Sequence, residues 1–461
     1  MKKSFLKYLN KETDGTTLHI FRIFFGLILA LQLYDFYFLT VDFSKVPFRI
    51  TYDFFHFIKP VCGLVAKIVY IVFCSAAVLA ALGVLFRLSM LIATIGVAYS
   101  FLIDQTIYNN HYYLFILVGI VLVFTGAGKG LTIFKPRTVA RIPMRNIWVM
   151  RFLVCLVYFY GGINKINYDW LVYAEPVYTW LPEMLGKWVL NLSTSQYKAL
   201  AFFIAYSGML LDLLAGIFLL FENRLKHLLL PVLFLFHCMN GIFFNIGYFP
   251  YFSLTALLLF LPPQQVTGFL TRFFTLAYKP TTQHNVAGNT ALTILVTIQL
   301  LLPLRHLLIP GNYLWTERAI LFSWTMKLRD KEPIINITYR VAGTKQYHEV
   351  PVHQFTTERQ LRHLGYRPTD LVQFAHFVED TFKRKLQVND IEVYAEIFTC
   401  LNHYRPFQLL VNPYIDLTTI DIKNKPSLVN YDWIVPLGED NFNLIPPAEL
   451  IDNRKQSLPA K

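Results

Sequence analysis

Residues 148–170 read WVMRFLVCLVYFYGGINKINYDW. The run from Trp148 to Ile163 is apolar over nearly the length that a bilayer core demands of a helix, about 20 residues, and it closes on two glycines and a lysine. Comparable runs recur at Thr17–Thr40, Gly63–Leu85, Leu88–Ile103, Tyr112–Phe124, Leu200–Phe221, Leu228–Ile246, Phe249–Leu261 and Ala291–Ile309. With 55% hydrophobic and only 15% charged residues in 461, too few polar side chains remain to cover a soluble protein. The pattern predicts a polytopic α-helical membrane bundle of about nine spans over residues 1–310. A β-rich extracytoplasmic domain over 311–440 and a polar tail over 441–461 follow it. A water-soluble globular enzyme is excluded.

The net charge of +13 invites a nucleic-acid reading until it is divided by region. From Gly311 onward 18 basic residues balance 18 acidic ones, so the whole excess lies in residues 1–310. In a membrane bundle that excess is a topology signal, because short cytoplasmic loops collect Lys and Arg. Lys2, Lys3, Lys7 and Lys11, then Arg87, then Lys129, Lys135, Arg137, Arg141 and Arg145, then Arg224 with Lys226, then Arg272 with Lys279 all fall in alternate segments. A cytoplasmic N-terminus puts them all on one side and brings the balanced C-terminal segment out on the other. The first apolar run, too long for a signal peptide and lacking a small-residue cleavage site, is expected to be an uncleaved anchor. No nucleic-acid partner is implied; membrane lipid is.

Two stretches rich in aromatics and charges, 41–59 and 169–188, read as interfacial or re-entrant elements on the non-cytoplasmic face. Beyond residue 311, INITYRVAG, IEVYAEIFTCL and FQLLVNPYIDLTTIDI read as strands. Thr369–Lys385 reads as a helix, with Leu371, Phe374, Phe377 and Phe382 at helical spacing. The cysteines form neither a disulfide framework nor a zinc-type spacing. Cys62 and Cys400 fall on the same side, where pairing stays open.

Ionisable groups in or at the mouths of spans are costly and therefore candidates for function. Arg22, Asp35, His111, Lys165, Asp212, His237 and Arg305 qualify. His111 opens the fourth run and Lys165 closes the fifth, and the charge topology puts both on the non-cytoplasmic side. Asn240 shares a helical face with His237. Glycines 161 and 162 permit close helix approach, and a lysine desolvated among aromatics is driven toward the free amine that a general base needs. Each residue also has a bland reading: Lys165 snorkelling to the interface, His111 capping a helix start, His237 as a satisfied core histidine, Arg22 and Asp212 as structural partners. Together they suit an apolar ligand with reactive oxygens.

Those segments carry a resemblance. Tyr108-Asn-Asn-His-Tyr-Tyr-Leu, Val157-Tyr-Phe-Tyr-Gly-Gly-Ile-Asn-Lys-Ile-Asn-Tyr-Asp-Trp170, Gly208-Met-Leu-Leu-Asp-Leu-Leu-Ala-Gly216 and Phe236-His-Cys-Met-Asn-Gly-Ile-Phe-Phe-Asn-Ile-Gly247 are similar to vitamin K-dependent gamma-glutamyl carboxylases and their microbial relatives. Gln299–His306, Leu321-Phe-Ser-Trp-Thr-Met326 and Tyr431-Asp-Trp433 extend the likeness over nearly the whole chain.

The resemblance implies a coupled reaction. Vitamin K hydroquinone and O2 supply a strong base that removes a glutamate γ-hydrogen; the carbanion captures CO2, giving γ-carboxyglutamate, and the quinol leaves as its epoxide. Lys165 matches the family's base and His111 its assisting histidine. Asn110, His237, Asn240, Trp324 and Met326 are matched to the quinone, and Ser323, Trp324, Arg359 and Trp433 to the glutamate. No metal is required. The partners implied are a glutamate-containing peptide or protein and a quinone reductase supplying the hydroquinone. The membrane is that of the ER in a eukaryote and the plasma membrane in a bacterium. A γ-hydrogen is too weakly acidic for an ordinary side-chain base, which agrees with a base generated on site away from water.

The chain departs from the animal enzymes in lacking their long C-terminal region and at Asn164, Ile320 and Arg329. Two other readings stay open: epoxidation with little protein carboxylation, and a transporter or quinone- or lipid-binding bundle using Arg22, Asp212 and His237 as a polar pathway.

Overall fold

The computed structural model describes residues 2–135, 138–221, 223–243, 246–279, 286–402, 407–421 and 432–438; the expected polar tail lies outside them. In chain order the apolar helices are α1 (Thr16–Phe43), α2 (Gly63–Leu82), α3 (Phe86–Leu102), α4 (Asn110–Phe124), α5 (Met144–Ile163), α6 (Thr194–Phe218), α7 (Leu225–Phe243), α8 (Phe249–Leu257) and α9 (Val286–Leu301). Among the described residues six segments are long and apolar enough to cross a bilayer: α1, α2, α5, α6, α7 and Thr290–Leu308. A seventh is reached if Phe249–Phe260 and Pro263–Leu270, bent by 100° at their break, form one span. The expected count of nine is not reached. The reason is length: α3 and α4 have 17 and 15 residues, and at a rise of about 1.5 Å per residue both fall short of a hydrocarbon core of about 30 Å.

α5 is the hub of the bundle, with 78% of its apolar window buried, as expected of a helix hydrophobic all round. Glycines set its closest contact. A Cβ on Gly162 would lie 2.7 Å from Leu213 Cγ, and one on Gly216 would lie 2.5 Å from the backbone nitrogen of Phe159. Only glycine lets the α5 and α6 backbones meet this closely.

At one end of the bundle, strands β1 (Glu12–Asp14), β2 (Thr138–Pro143) and β3 (Ala277–Lys279) form a small sheet, β1 antiparallel and β3 parallel to β2. It gathers three of the lysine- and arginine-bearing segments at the same end.

At the opposite end sits the C-terminal domain. Its sheet has the order β5-β4-β6-β7, from β4 (Ile334–Val341), β5 (His348–Glu349), β6 (Ile391–Thr399) and β7 (Gln408–Leu409). β4 and β6 pair antiparallel from Ile334↔Phe398 to Val341↔Ile391, and Ile391, Val393, Ala395 and Ile397 of β6 point inward. Helices α10 (Glu358–Tyr366) and α11 (Pro368–Leu386) cover the sheet, α11 burying Leu371, Phe374, Val378 and Phe382. The domain is therefore an α+β layer rather than β-rich. The expected third long strand, 407–422, yields only β7 and a 3-10 turn at Leu417–Thr419. Turn chemistry explains this: Asp416 accepts from Thr418 N, Asn412 Oδ1 accepts from Tyr414 N, and Pro413 between them has no N–H to donate to a ladder.

The stretches 41–59 and 169–188, expected to be interfacial or re-entrant, pack against this domain. Phe48 meets Phe374 edge-on, ring centroids 4.9 Å apart, and its carbonyl accepts from Gln360 Nε2 at 2.9 Å. Trp170, Tyr178 and Tyr197 join the same buried core as β4, β6 and α11. Cys62 is exposed and Cys400 buried, both with free thiols.

Candidate functional site

A cavity of about 770 Å³ opens where the bundle meets the C-terminal domain. Asn110 and His111 of α4, Tyr158 of α5, Gly208 and Asp212 of α6, and His237 and Asn240 of α7 form its deep wall. The segment from Ile320 to Arg329 and residues Arg359 and His363 of α10 form its rim.

Lys165 follows the last turn of α5, and its side chain turns back into the wall. Nζ donates to Gly161 O at 3.0 Å and to Asp212 Oδ2 at 2.5 Å, with both side chains 11% exposed. The first contact satisfies one of the carbonyls that a helix C-terminus leaves unpaired; the second depends on the glycine seam that draws α6 against α5. The Trp170 ring lies 5.4 Å from Nζ, fixed by its own Nε1 donating to Ala205 O at 3.1 Å. Lys165 is thus held inside the protein, not snorkelling outward.

Four polar atoms of cavity-lining residues lack a hydrogen-bond partner among the described residues: His111 Nε2, His237 Nδ1, Trp324 Nε1 and, on the rim, His363 Nδ1. All four are buried, a rare state in native proteins that a bound ligand or water would relieve. His111 lies in the first turn of α4, two residues after the N-cap Asn109, with its ring against Tyr112 at 4.2 Å and Phe249 at 5.9 Å. His237 meets Tyr158 Oη through Nε2 at 2.6 Å.

The segment that closes the cavity is held in an unusual backbone. Glu317, Ala319, Phe322, Trp324 and Lys327 all have φ between 54° and 62°, a region costing roughly 1–3 kcal/mol for each non-glycine residue. Bundle side chains fasten it. Tyr108 Oη accepts from Phe322 N at 2.6 Å and donates to Asn110 Oδ1 at 2.8 Å. Asn110 Nδ2 donates to Thr325 O at 2.8 Å, and Asn164 Nδ2 to Ser323 O at 2.9 Å. Met326 reaches α5 because Gly161 has no Cβ, which would lie 2.9 Å from Met326 Cε.

The rim is cationic. Lys327, Arg329, Arg359 and Arg367 all face the cavity. Arg329 grips Glu317 through two bonds of 2.5 and 2.7 Å, and Lys331 and Arg367 lie 3.4 Å from the same carboxylate. Burial alone would raise the Glu317 pKa, but Arg329, Lys331 and Arg367 outweigh it and hold that carboxyl well below the usual carboxylate range. Burial draws the Lys331 ammonium down to about 8 against the attraction of Glu317. Arg359 differs: its hydrogen bond is to the Thr106 carbonyl, at 3.3 Å.

Of the residues singled out in the sequence, the cavity brings together Lys165, His111, Asn110, His237, Asn240, Trp324, Met326 and Arg359. Ser323 is buried behind the wall, its Oγ donating to Ala319 O at 2.6 Å, and Trp433 is buried in the core of the C-terminal domain. Arg22 and Asp212 are not partners: Arg22 donates to the carbonyls of Ala127, Gly130 and Leu131 far along the chain. The departures have places as well. Asn164 anchors the closing segment, Arg329 is locked by Glu317, and Ile320 lines the cavity. The sequence singles out Asp212 only as a charged candidate and structural partner, and Tyr158 and Gly208 not at all; the signal for Tyr158 is its helical distance of seven from Lys165, two turns back on α5.

A family model described as the HTTM domain matches residues 10–264. A second, described as the lumenal domain of vitamin K-dependent gamma-carboxylase, matches residues 284–440. No solved structure matches the chain.

Proposed function

This chain belongs to the vitamin K-dependent gamma-carboxylase family, an HTTM domain joined to that family's lumenal domain, and from that premise we propose that it carboxylates glutamyl residues at the expense of vitamin K hydroquinone. It is a multi-pass membrane protein; we place its N-terminus in the cytoplasm and its C-terminal domain on the luminal or extracytoplasmic side, as the loop charges suggest.

The reading is carried by one observation: Lys165 Nζ, His111 Nε2, His237 Nδ1 and Trp324 Nε1 belong to residues of a single cavity wall, three of these atoms without a partner among the described residues. A quinol fits such a wall. Its two oxygens take the buried polar atoms, its ring lies among Tyr158, Phe236 and Phe249, and the volume falls within the roughly 300–1,000 Å³ of ligand pockets. When bound with O2, it supplies a base stronger than any side chain and leaves as the epoxide. Lys165 passes its ammonium proton to Asp212, to which it is hydrogen-bonded, and then takes the quinol proton as the free amine. Asp212 fixes the amine's position, and the quinol anion formed beside it balances the new ammonium. The aromatic wall keeps out water, which would quench both the base and the glutamate carbanion before CO2 adds. Arg359 on the rim holds the glutamate carboxylate by a charge-assisted bond.

The test supplies purified protein with vitamin K hydroquinone, oxygen, labelled bicarbonate and a glutamate-containing peptide, and follows epoxide and fixed label separately. Both products are expected from the wild type and neither from Lys165→Ala. Epoxide without label would leave a vitamin K epoxidase; neither product from the wild type would end the enzymatic reading.

A further inference from the structure

We infer that Tyr158 is a positioning residue that fixes the tautomer of His237, making its Nδ1–H a permanent hydrogen-bond donor into the cavity, directed at an oxygen that becomes negatively charged. The inference deepens the proposed reaction and rests on it for the identity of the ligand, though not for the tautomer itself.

Tyr158 Oη and His237 Nε2 lie 2.6 Å apart, and both side chains are buried. The bond has two possible directions. If Nε2 carried the hydrogen and donated to Oη, the phenol's own O–H would be left over, and His237 Nε2 is the partner it has among the described residues. A buried hydroxyl left without an acceptor is not compensated for the water it has lost. If the phenol donates, Nε2 is the acceptor, and a neutral imidazole then carries its hydrogen on Nδ1. His237 Nδ1 is the atom left unpartnered, on a residue that lines the cavity. One arrangement therefore satisfies the buried phenol and leaves one aimed donor; the other strands the phenol and presents a bare lone pair.

The ring cannot readily turn to escape. Phe236 lies 5.3 Å from it and Phe249 6.1 Å, both edge-on, and Tyr158 itself is tilted over it at 5.9 Å. Trp324, whose Nε1 is a donor only, lines the same cavity, and that atom has no partner among the described residues. Two fixed donors and one lysine on the wall are complementary to an oxygen that loses its proton and gains charge, not to one that must give a hydrogen away. The quinol is bound first as a neutral diol and then as an anion, so donors of this kind bind the second state better than the first and act on turnover rather than on binding.

The tautomer is measured first on the full-length wild type without any quinol, by ¹⁵N and ¹³C NMR of histidine-labelled protein in nanodiscs, with His237→Gln to assign the signal. A neutral ring protonated at Nδ1 is expected; an Nε2-protonated ring overturns the inference, whatever the enzyme turns over. In Tyr158→Phe the signal should move toward the Nε2-protonated form. Epoxide formation should then fall in kcat by about tenfold or more, short of the roughly 10²–10³ lost when an aimed donor is removed outright, with the KM for quinol within about twofold. A rise in KM at unchanged kcat, or an unchanged tautomer in Tyr158→Phe, would show that Tyr158 only fills space. If the tautomer is as inferred but no vitamin K is turned over, the carboxylase reading fails and the tautomer stands.

Discussion

Lys165 and Asp212, 47 residues apart in the chain, meet across the α5–α6 seam at 2.5 Å between Nζ and Oδ2. Breaking a buried pair from one side leaves a charge uncompensated, at about 3–5 kcal/mol. Asp212→Asn and Lys165→Ala should each lower stability measurably, and the double variant Lys165→Ala/Asp212→Ala should be more stable than the sum of single losses predicts. A thermal-unfolding cycle in detergent checks this; strict additivity would mean that the pair is not coupled. Higher pH should partly restore epoxide formation to Lys165→Ala, since hydroxide then removes the quinol proton, and a flat pH response would assign the lysine a structural part.

Gly208 and Gly216 lie two turns apart on α6 and predict opposite outcomes. A Cβ at Gly208 meets nothing within 4 Å, whereas one at Gly216 lies 2.5 Å from the Phe159 backbone. Gly208→Phe should fold normally and raise the KM for quinol about tenfold or more by filling the cavity. Gly216→Val should destabilise by about 1–3 kcal/mol through overpacking. Parallel unfolding and epoxidation assays distinguish them, and an unchanged KM in Gly208→Phe would place the ligand elsewhere.

Arg359 should separate the two half-reactions. A hydrogen bond to a charged group contributes about 1.5–3 kcal/mol, so Arg359→Gln should raise the KM for a glutamyl peptide roughly 10- to 100-fold while epoxide formation without peptide stays within about twofold. Equal loss of both activities would move the carboxylate-binding role to another residue.

Acid should loosen the segment that closes the cavity through Glu317. Its folded-state pKa lies below the unfolded value of 4.5, so its contribution is fully present above that value and disappears as pH falls below it. Hydrogen exchange at the closing segment should therefore accelerate below about pH 4.5. Glu317→Gln should bring that acceleration to neutral pH, because Arg329, Lys331 and Arg367 then face one another without their shared anion. Unchanged exchange in the variant would refute this account.

The membrane character, the helix over 369–385 and the long strands β4 and β6 were legible because each writes a local period into the sequence. The glycines at 161 and 162 also announced a close approach. What approaches them was not legible: Asp212 read as a structural partner for another charge because pairing across 47 residues leaves no trace in a single sequence. The stretches 41–59 and 169–188 misled for the same reason. Aromatics mixed with charges look alike whether they meet a lipid headgroup or a neighbouring domain, and only the position of Phe374 decides which. The unpartnered polar atoms around the cavity are likewise a property of the assembled fold.

Phe48, Trp170 and Tyr197 are buried in one core with Val378, Val393 and Ile397, so the two halves matched by separate family models are mechanically a single body. The C-terminal half expressed by itself would present a bare apolar floor to water and be prone to aggregate. Any lineage that exchanged this half for another would have to re-cut the loops of the bundle in the same step.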